Sequence, residues 1–250
     1  MSKSKDDLNI HFKGKTDGLV IKINGKVIYP FKEEETAKEI NPNKLRTQLK
    51  AGVAATFSGA VNRVVPLRGT WKRWPVKSRV PYRNILAANI NKCTAEHPTT
   101  RNLICPDSPW GLPGTEAVID AEGIKIVVGP IADQIDLYEY EKLFTAAGVL
   151  SVYNPREKEN ESYSIYPLGA EIKDLDLTKN ISVNFRFSDE MKVNIARYQK
   201  CILYFTIVIG NEFGTTKRWL SGYPSIFLLS NDAEGKLIGG EYSDILGKEY

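Results

Sequence analysis

Apolar and polar positions fall into two unlike halves of this 250-residue chain. The first patterned stretch, GLVIKINGKVIYP from Gly18 to Pro30, is two short apolar runs around Asn24-Gly25. A two-residue type I′ turn needs positive φ at both central positions, which Asn and Gly tolerate, so the stretch reads as a β-hairpin. In that register Ile23 faces Lys26, Ile21 pairs with Ile28 and Val20 with Tyr29. One face is then apolar through Ile21 and Ile28, and the other mixes Val20, Lys22, Val27 and Tyr29. A lone two-stranded ribbon is marginal in water, so this one is expected to pack on its own chain or on a neighbour's.

After the charged connector KEEETAKEI, Asn41-Pro42 reads as a helix cap followed by proline at the first helical position. Leu45, Leu49, Val53, Phe57 and Val61 recur at i, i+4 spacing, a core-facing stripe on a helix that ends before Pro66; Gly52 and Gly59 weaken it. Pro66, Gly69, Pro75 and Pro81 interrupt the next segment, and a helical pattern resumes from Pro81 to Cys93 through Ile85, Leu86 and Ile90. Two helices joined by a Trp-rich basic loop are expected. The Pro- and Gly-dense stretch CPDSPWGLPG, residues 105–114, reads as a domain boundary. Beyond it come short β-type runs (TEAVID, GIKIVVG, GVLSVY, SYSIYP, ISVNFRF, KCILYFTIVIG, RWLSGYPSIFLL) separated by turn clusters, the pattern of a β-sandwich of immunoglobulin-like type. In DQIDLYEYEKLFTAAG, residues 133–148, Ile135, Leu137 and the tyrosines suit a strand, whereas Leu143, Phe144 and the stop at Gly148 suit a helix, the reading preferred here.

The expected fold is therefore α+β and mainly β: a flexible arm over 1–17, a hairpin and helical basic domain over 18–110, and a β-rich sandwich domain over 111–250. With 42% hydrophobic residues the chain has enough apolar mass for a real core. Its longest strongly apolar run, Cys201 to Gly210, is too short to span a bilayer, and the opening MSKSKDDLNIHFKGK has no apolar segment behind its basic residues. No membrane insertion and a cytoplasmic location without an export signal are expected. Three cysteines, Cys93, Cys105 and Cys201, fit buried free thiols in a reducing compartment better than a disulfide scaffold.

Charge sharpens the division between the halves. Residues 1–110 carry 20 Lys/Arg against 9 Asp/Glu, a net +11, and residues 111–250 carry 14 against 21, a net −7. Between Glu39 and Glu96 there is no acidic residue, while eleven basic ones lie there. Within that span RVVPLRGTWKRWPVKSRVPYR interleaves Arg63, Arg68, Lys72, Arg73, Lys77, Arg79 and Arg83 with Trp71, Trp74 and Tyr82. Such a segment either neutralises phosphates while its aromatics stack on bases, or anchors a protein contact whose cations face acidic surface. The protein contact is the preferred reading. The hairpin residues Ile21, Ile28 and Tyr29 join these basic and Trp residues as candidate partner contacts.

Recognisable catalytic chemistry is missing. The only histidines are His11 and His97. Cys93, His97 and Cys105 read C-x3-H-x7-C, without the fourth ligand and paired spacing of a structural zinc site. GLPGTE and AEGKLIGG are neither P-loop nor dinucleotide-binding turn, and no G-x-S-x-G elbow occurs. Asp133, Asp136, Glu139 and Glu141 cluster, most simply as a solvated acidic face. No catalytic, cofactor-binding or metal-binding residue is assigned.

The hairpin DGLVIKINGKVIYP, the helix NPNKLRTQLKAGVAATF, the following TWKRW and the helix YRNILAANINK together resemble an uncharacterised family of Bacteroidota proteins. In that family a glycine-rich hairpin and an NPRT-x-x-Q-like helix start precede a Trp and an Asn-containing helix, and a β-rich half follows; the likeness covers about residues 14–95. It implies no known activity and hands over no catalytic residue. Together these features lead to the expectation of a non-enzymatic assembly protein, a capsid, neck or tail component of a phage virion, forming homo-oligomers or joining other structural proteins. The alternatives are a nucleic-acid-binding protein using the loop 63–83 and an enzyme with a carboxylate site.

Overall fold

The computed structural model describes residues 19–24, 27–32, 41–73, 78–108, 110–172 and 175–243. Contacts divide the chain into two compact units, Met1–Lys44 and Leu45–Tyr250. In the first, β1 (Leu19–Asn24) and β2 (Val27–Lys32) form the expected antiparallel hairpin. Its register differs by one residue at the turn: Asn24 pairs with Val27, Ile23 with Ile28 and Ile21 with Pro30. A glycine-led Gly25-Lys26 pair matches the sequence preference of a type II′ turn as well as Asn24-Gly25 matches type I′, so the sequence admits both registers. The arm 1–17 and the side chains of Ile21, Ile28 and Tyr29 lie outside the described residues.

The helix α1 (Pro42–Arg63) begins as the sequence indicates, with proline at its first position and the Asn41 Oδ1 accepting from the Asn43 amide at 3.0 Å. Pro66 does not open a loop. It sits in the first turn of a second helix, α2 (Val65–Arg73), where its missing N–H removes no intrahelical bond. The helix α3 (Pro81–Asn89) comes next, again with proline at its start. The loop expected between two helices is therefore helical up to Arg73. Gly69 is what lets α2 lie directly on the sheet, because a Cβ there would collide with the Thr216 side chain. Gly52 is the opposite case: in α1 nothing occupies the space a Cβ would enter. Gly52→Ala is expected to raise stability by roughly 0.5–1 kcal/mol through helix propensity and lost unfolded-state entropy, read as a higher urea midpoint.

The rest is mainly β, as expected. The strands are β3 (Glu116–Asp120), β4 (Gly123–Val128), β5 (Glu141–Pro155), β6 (Tyr163–Ile172), β7 (Ile181–Arg186), β8 (Tyr198–Asn211), β9 (Thr216–Ser221), β10 (Ser225–Asn231) and β11 (Leu237–Tyr242). A short helix unforeseen from the sequence, α4 (Asp189–Ile195), starts at Ser188, whose Oγ accepts from the Met191 amide at 3.2 Å. All nine strands join one antiparallel sheet in the order β6-β5-β8-β10-β11-β3-β4-β7, with β9 on the free half of β8. Its terminal strands β6 and β7 approach each other, so the sheet is nearly a barrel. Hydrogen bonding thus establishes a single near-closed sheet; it does not establish the two sheets of an immunoglobulin-like sandwich.

Residues 133–148, preferred as helix from the sequence, hold no helix: 133–140 are turn and irregular chain, and 141–148 belong to β5. Here alternate residues of β5 and β8 face two different cores, so both parities are apolar and the period-2 signal vanishes. Phe144, Ala146, Leu150 and Val152 face the barrel interior with Cys201, Leu203, Ile207 and Ile209. Ala147, Val149 and Tyr153, with Ile202, Tyr204 and Val208, face outward against Phe57, Val61, Leu67 and Trp71 of the helices. Gly148 is no helix stop: its missing Cβ permits close approach to the Tyr204 carbonyl on the paired strand. Among the described residues no helix is long and apolar enough to cross a membrane.

Candidate functional site

The basic segment 63–83 divides once it is folded. Trp71 is only 2% exposed, packs in the outer core, and donates its indole N–H to the Ile104 carbonyl at 2.9 Å. It is a core residue of this chain rather than a surface contact. Arg63, Lys72, Arg79 and Arg83 are exposed and Arg68 is half-buried. Arg73 lies in α2, but its side chain, together with Trp74 and Lys77, is outside the described residues. A nucleic-acid platform needs its aromatic faces beside its cations, and burial of Trp71 withdraws that ring.

The i, i+4 stripe of α1 divides in the same way. Val53, Phe57 and Val61 are buried, whereas Leu45 and Leu49 are 41% and 50% exposed on a helical stretch that is open to solvent from residue 41 to 49. Arg46 flanks these two leucines in solvent, and Lys50 beside them is half-buried. Two large apolar side chains thus stand in line on a cationic, otherwise solvated stretch of helix.

A second exposed apolar group sits at one end of the sheet. Glu141 pairs with Asn211, which places residues 138–140 beside the turn between β8 and β9. Tyr138, Tyr140 and Phe213 are 58%, 52% and 82% exposed, and the two tyrosine rings stack 5.4 Å apart. Asp133, Asp136, Glu139 and Glu212 around them are exposed. Asp133, Asp136 and Glu139 are thus the solvated face expected of them, and Glu141 is not. Its carboxylate is buried against the Arg218 guanidinium in a two-pronged ion pair, and it also accepts from the Tyr138 amide at 3.0 Å. Burial alone would raise the Glu141 carboxyl; the Arg218 hydrogen bonds, the Tyr138 amide and the nearby positive charges outweigh it and hold the group below the usual carboxylate range. Arg218 also donates to the Asp136 carbonyl at 2.5 Å and lies 5.4 Å from the Trp110 ring and 5.1 Å from that of Tyr138. Arg218 and Glu141 thereby fasten the segment 136–141 to β9. Sequence reasoning missed Tyr138, Tyr140, Phe213 and Arg218 as a group, because only the β5–β8 register brings them together. The NEFG turn held one readable signal, a phenylalanine at a hairpin tip, where apolar side chains are left in water.

Where β9 and β10 part along β8, a cleft of about 830 Å³ opens, lined among others by Lys92, Cys105, Asp107, Trp110, Ser221 and Tyr223. The stretch that read as a boundary forms one wall. Ser108 Oγ donates to the Trp219 carbonyl at 2.6 Å, the Trp219 indole donates to the Pro106 carbonyl at 2.8 Å, and the Leu112 amide reaches Ser221 O at 3.0 Å. Burial pushes the Cys105 thiol up to about 11, so it stays protonated at neutral pH and is a poor nucleophile. Burial also lowers Lys92, against the opposing charge of Asp107. The remaining members of the spaced Cys/His set are engaged separately: Cys93 Sγ accepts from the Asn102 amide group at 3.1 Å, and His97 Nδ1 donates to the Pro98 carbonyl at 2.6 Å while its ring stacks on Tyr153. Among the described residues no three His, Cys, Asp or Glu side chains are grouped to hold a metal.

No family model matches this chain, and neither a curated protein nor a solved structure matches it.

Proposed function

We propose that this chain is a non-enzymatic assembly protein, a capsid, neck or tail component of a virion from a phage of Bacteroidota, whose copies join through the basic helical part and the acidic strand-rich part. The observation that carries the reading is the exposure of Leu45 and Leu49 at the solvent end of a stripe that is core farther along the same helix. Charge supports it: the halves of the chain differ by net +11 and −7, and surfaces of opposite sign meet head to tail between copies, whereas each repels itself. The tethered hairpin adds a ribbon that gains stability when it is covered. Nucleic acid is the weaker reading, since Trp71 is withdrawn into the core.

Sedimentation velocity on the full chain tests the proposal. Association is expected to rise with protein concentration at low salt and to weaken by about tenfold or more in molar salt, where the screening length falls to about 3 Å. A particle that stays monomeric at low salt and high concentration overturns it.

A further inference from the structure

Two surfaces on this chain are incomplete in complementary ways. One is the solvent end of α1, with Leu45 and Leu49 in line beside Arg46. The other is the sheet end, where Tyr138, Tyr140 and Phe213 are exposed among Glu139, Glu212 and Asp136, with Lys217 Nζ 5.4 Å from the Tyr140 ring. Resting on the assembly reading above, we propose that the occupant of the sheet-end patch is the α1 end of a second copy of this chain. The leucines lie on the exposed aromatic rings, and Arg46 meets Glu139 and Glu212.

Chemistry selects this pairing over its rivals. Two α1 ends face to face would set cation against cation, with no carboxylate anywhere between Glu39 and Glu96 to relieve them. Two sheet ends would set Asp136, Glu139 and Glu212 against their like, with Lys217 over the Tyr140 ring offsetting only part of that charge. A nucleic acid suits the α1 cations but not the carboxylates of the patch, so it leaves the three aromatics in water. An unlike pairing buries both apolar groups and matches both charges. The patch is also held ready. Ile131 and Ile135 anchor its loop in the core, and Arg218, tied to Glu141 and to the Asp136 carbonyl, fixes Tyr138. Little ordering of side chains is then left to oppose docking. Because donor and acceptor surfaces differ, each copy keeps one of each free, and the contact propagates into a ring or a filament.

Two exposed substitutions separate this contact from any other route to assembly. Leu49→Ser removes the donor apolar group and Phe213→Ser the acceptor one, and circular dichroism and a urea midpoint confirm that both variants remain folded. Each alone is expected to lose association by tenfold or more. Mixed in equal amounts they are expected to form a one-to-one dimer and nothing larger, because only one good donor and one good acceptor remain per pair. A charge exchange reads the polar part: Arg46→Glu and Glu139→Lys each weaken association, and one chain carrying both recovers it. If either serine variant assembles like the unaltered protein, or the mixture stays monomeric, this pairing is overturned while the assembly reading stands. An unaltered protein that is monomeric throughout overturns both.

Discussion

Trp71→Ala is expected to cost about 3–5 kcal/mol, a large part of the roughly 5–15 kcal/mol that stabilises an ordinary domain. The ring is 2% exposed and packs with Phe57, Val61, Leu67 and Ile85, so its removal leaves a cavity between the helices and the sheet. The lost indole N–H also leaves the Ile104 carbonyl without that donor, at the point where residues 99–105 are held against α3. Asn89 and Asn102 share that work: Leu103 N donates to Asn89 Oδ1 at 2.7 Å, and Asn102 Nδ2 donates to the same oxygen at 3.0 Å. Damage should therefore spread to the wall of the neighbouring cleft. Lys72→Ala, one residue along and exposed, is expected to change stability by no more than about 0.5 kcal/mol. Urea unfolding of the two variants measures both effects. Equal small changes would return Trp71 to the surface role that composition suggested for it.

Trp71 also shows why basic, Trp-rich sequence is ambiguous. Cations beside an aromatic ring read as a contact surface, yet a helix puts successive residues about 100° apart, so Trp71 goes inward as Lys72 goes outward. The helical period was legible in α1 from its i, i+4 stripe, and the cap at Asn41-Pro42 was legible too. The place along that stripe where the protein body ends was not, because Leu45 and Val53 are the same kind of residue and only tertiary packing divides them. Most strands were readable from alternation and turns. The exception is β11, whose LIGGEY carries too few apolar positions to read as a strand; the two longest, β5 and β8, lie between two cores and so carry no alternation, yet β8 was legible as the apolar run KCILYFTIVIG and β5 in part as GVLSVY. That same double burial made Phe144 to Gly148 look helical. Closure into one nearly barrel-like sheet depends on which long strands pair and where β8 splits its partners between β9 and β10, and no local pattern encodes either choice. The sheet-end patch inherits that limit. Tyr138 and Tyr140 were visible as residues, and Glu139 as a charge, but only the register from Glu141 to Asn211 brings Arg218 to Tyr138 and sets the Phe213 turn at the same end of the sheet.

Arg218→Ala is expected to be as damaging as the loss of Trp71 and to flatten the loss of stability in acid. Both charged groups are withdrawn from water, the Arg218 side chain being 14% exposed and that of Glu141 1%. Removing the arginine leaves a buried carboxylate without its cation, a change that costs about 3–5 kcal/mol when such a pair is broken. In the unaltered protein Glu141 lies below its unfolded value of about 4.3, so the unfolded chain takes up its proton first. Its contribution to stability is complete above that value and fades as pH falls through the lower, folded value. Without Arg218 the leading remaining influence is burial, which pushes the group upward, while the Tyr138 amide and Lys217 still draw it down. Glu141 then loses less of its contribution as pH falls than it does in the unaltered protein. The stability lost to Arg218→Ala is therefore expected to be largest above the ordinary carboxylate range and to shrink as pH falls through it, read as a difference in the slopes of unfolding free energy against pH. Glu141→Gln in the same background should remove the difference, since an amide does not titrate. If Arg218→Ala unfolds with the same pH slope as the unaltered protein, Glu141 is not held by Arg218. The fastening of segment 136–141, and with it the fixed tyrosines of the sheet-end patch, would then rest on Ile131 and Ile135 alone.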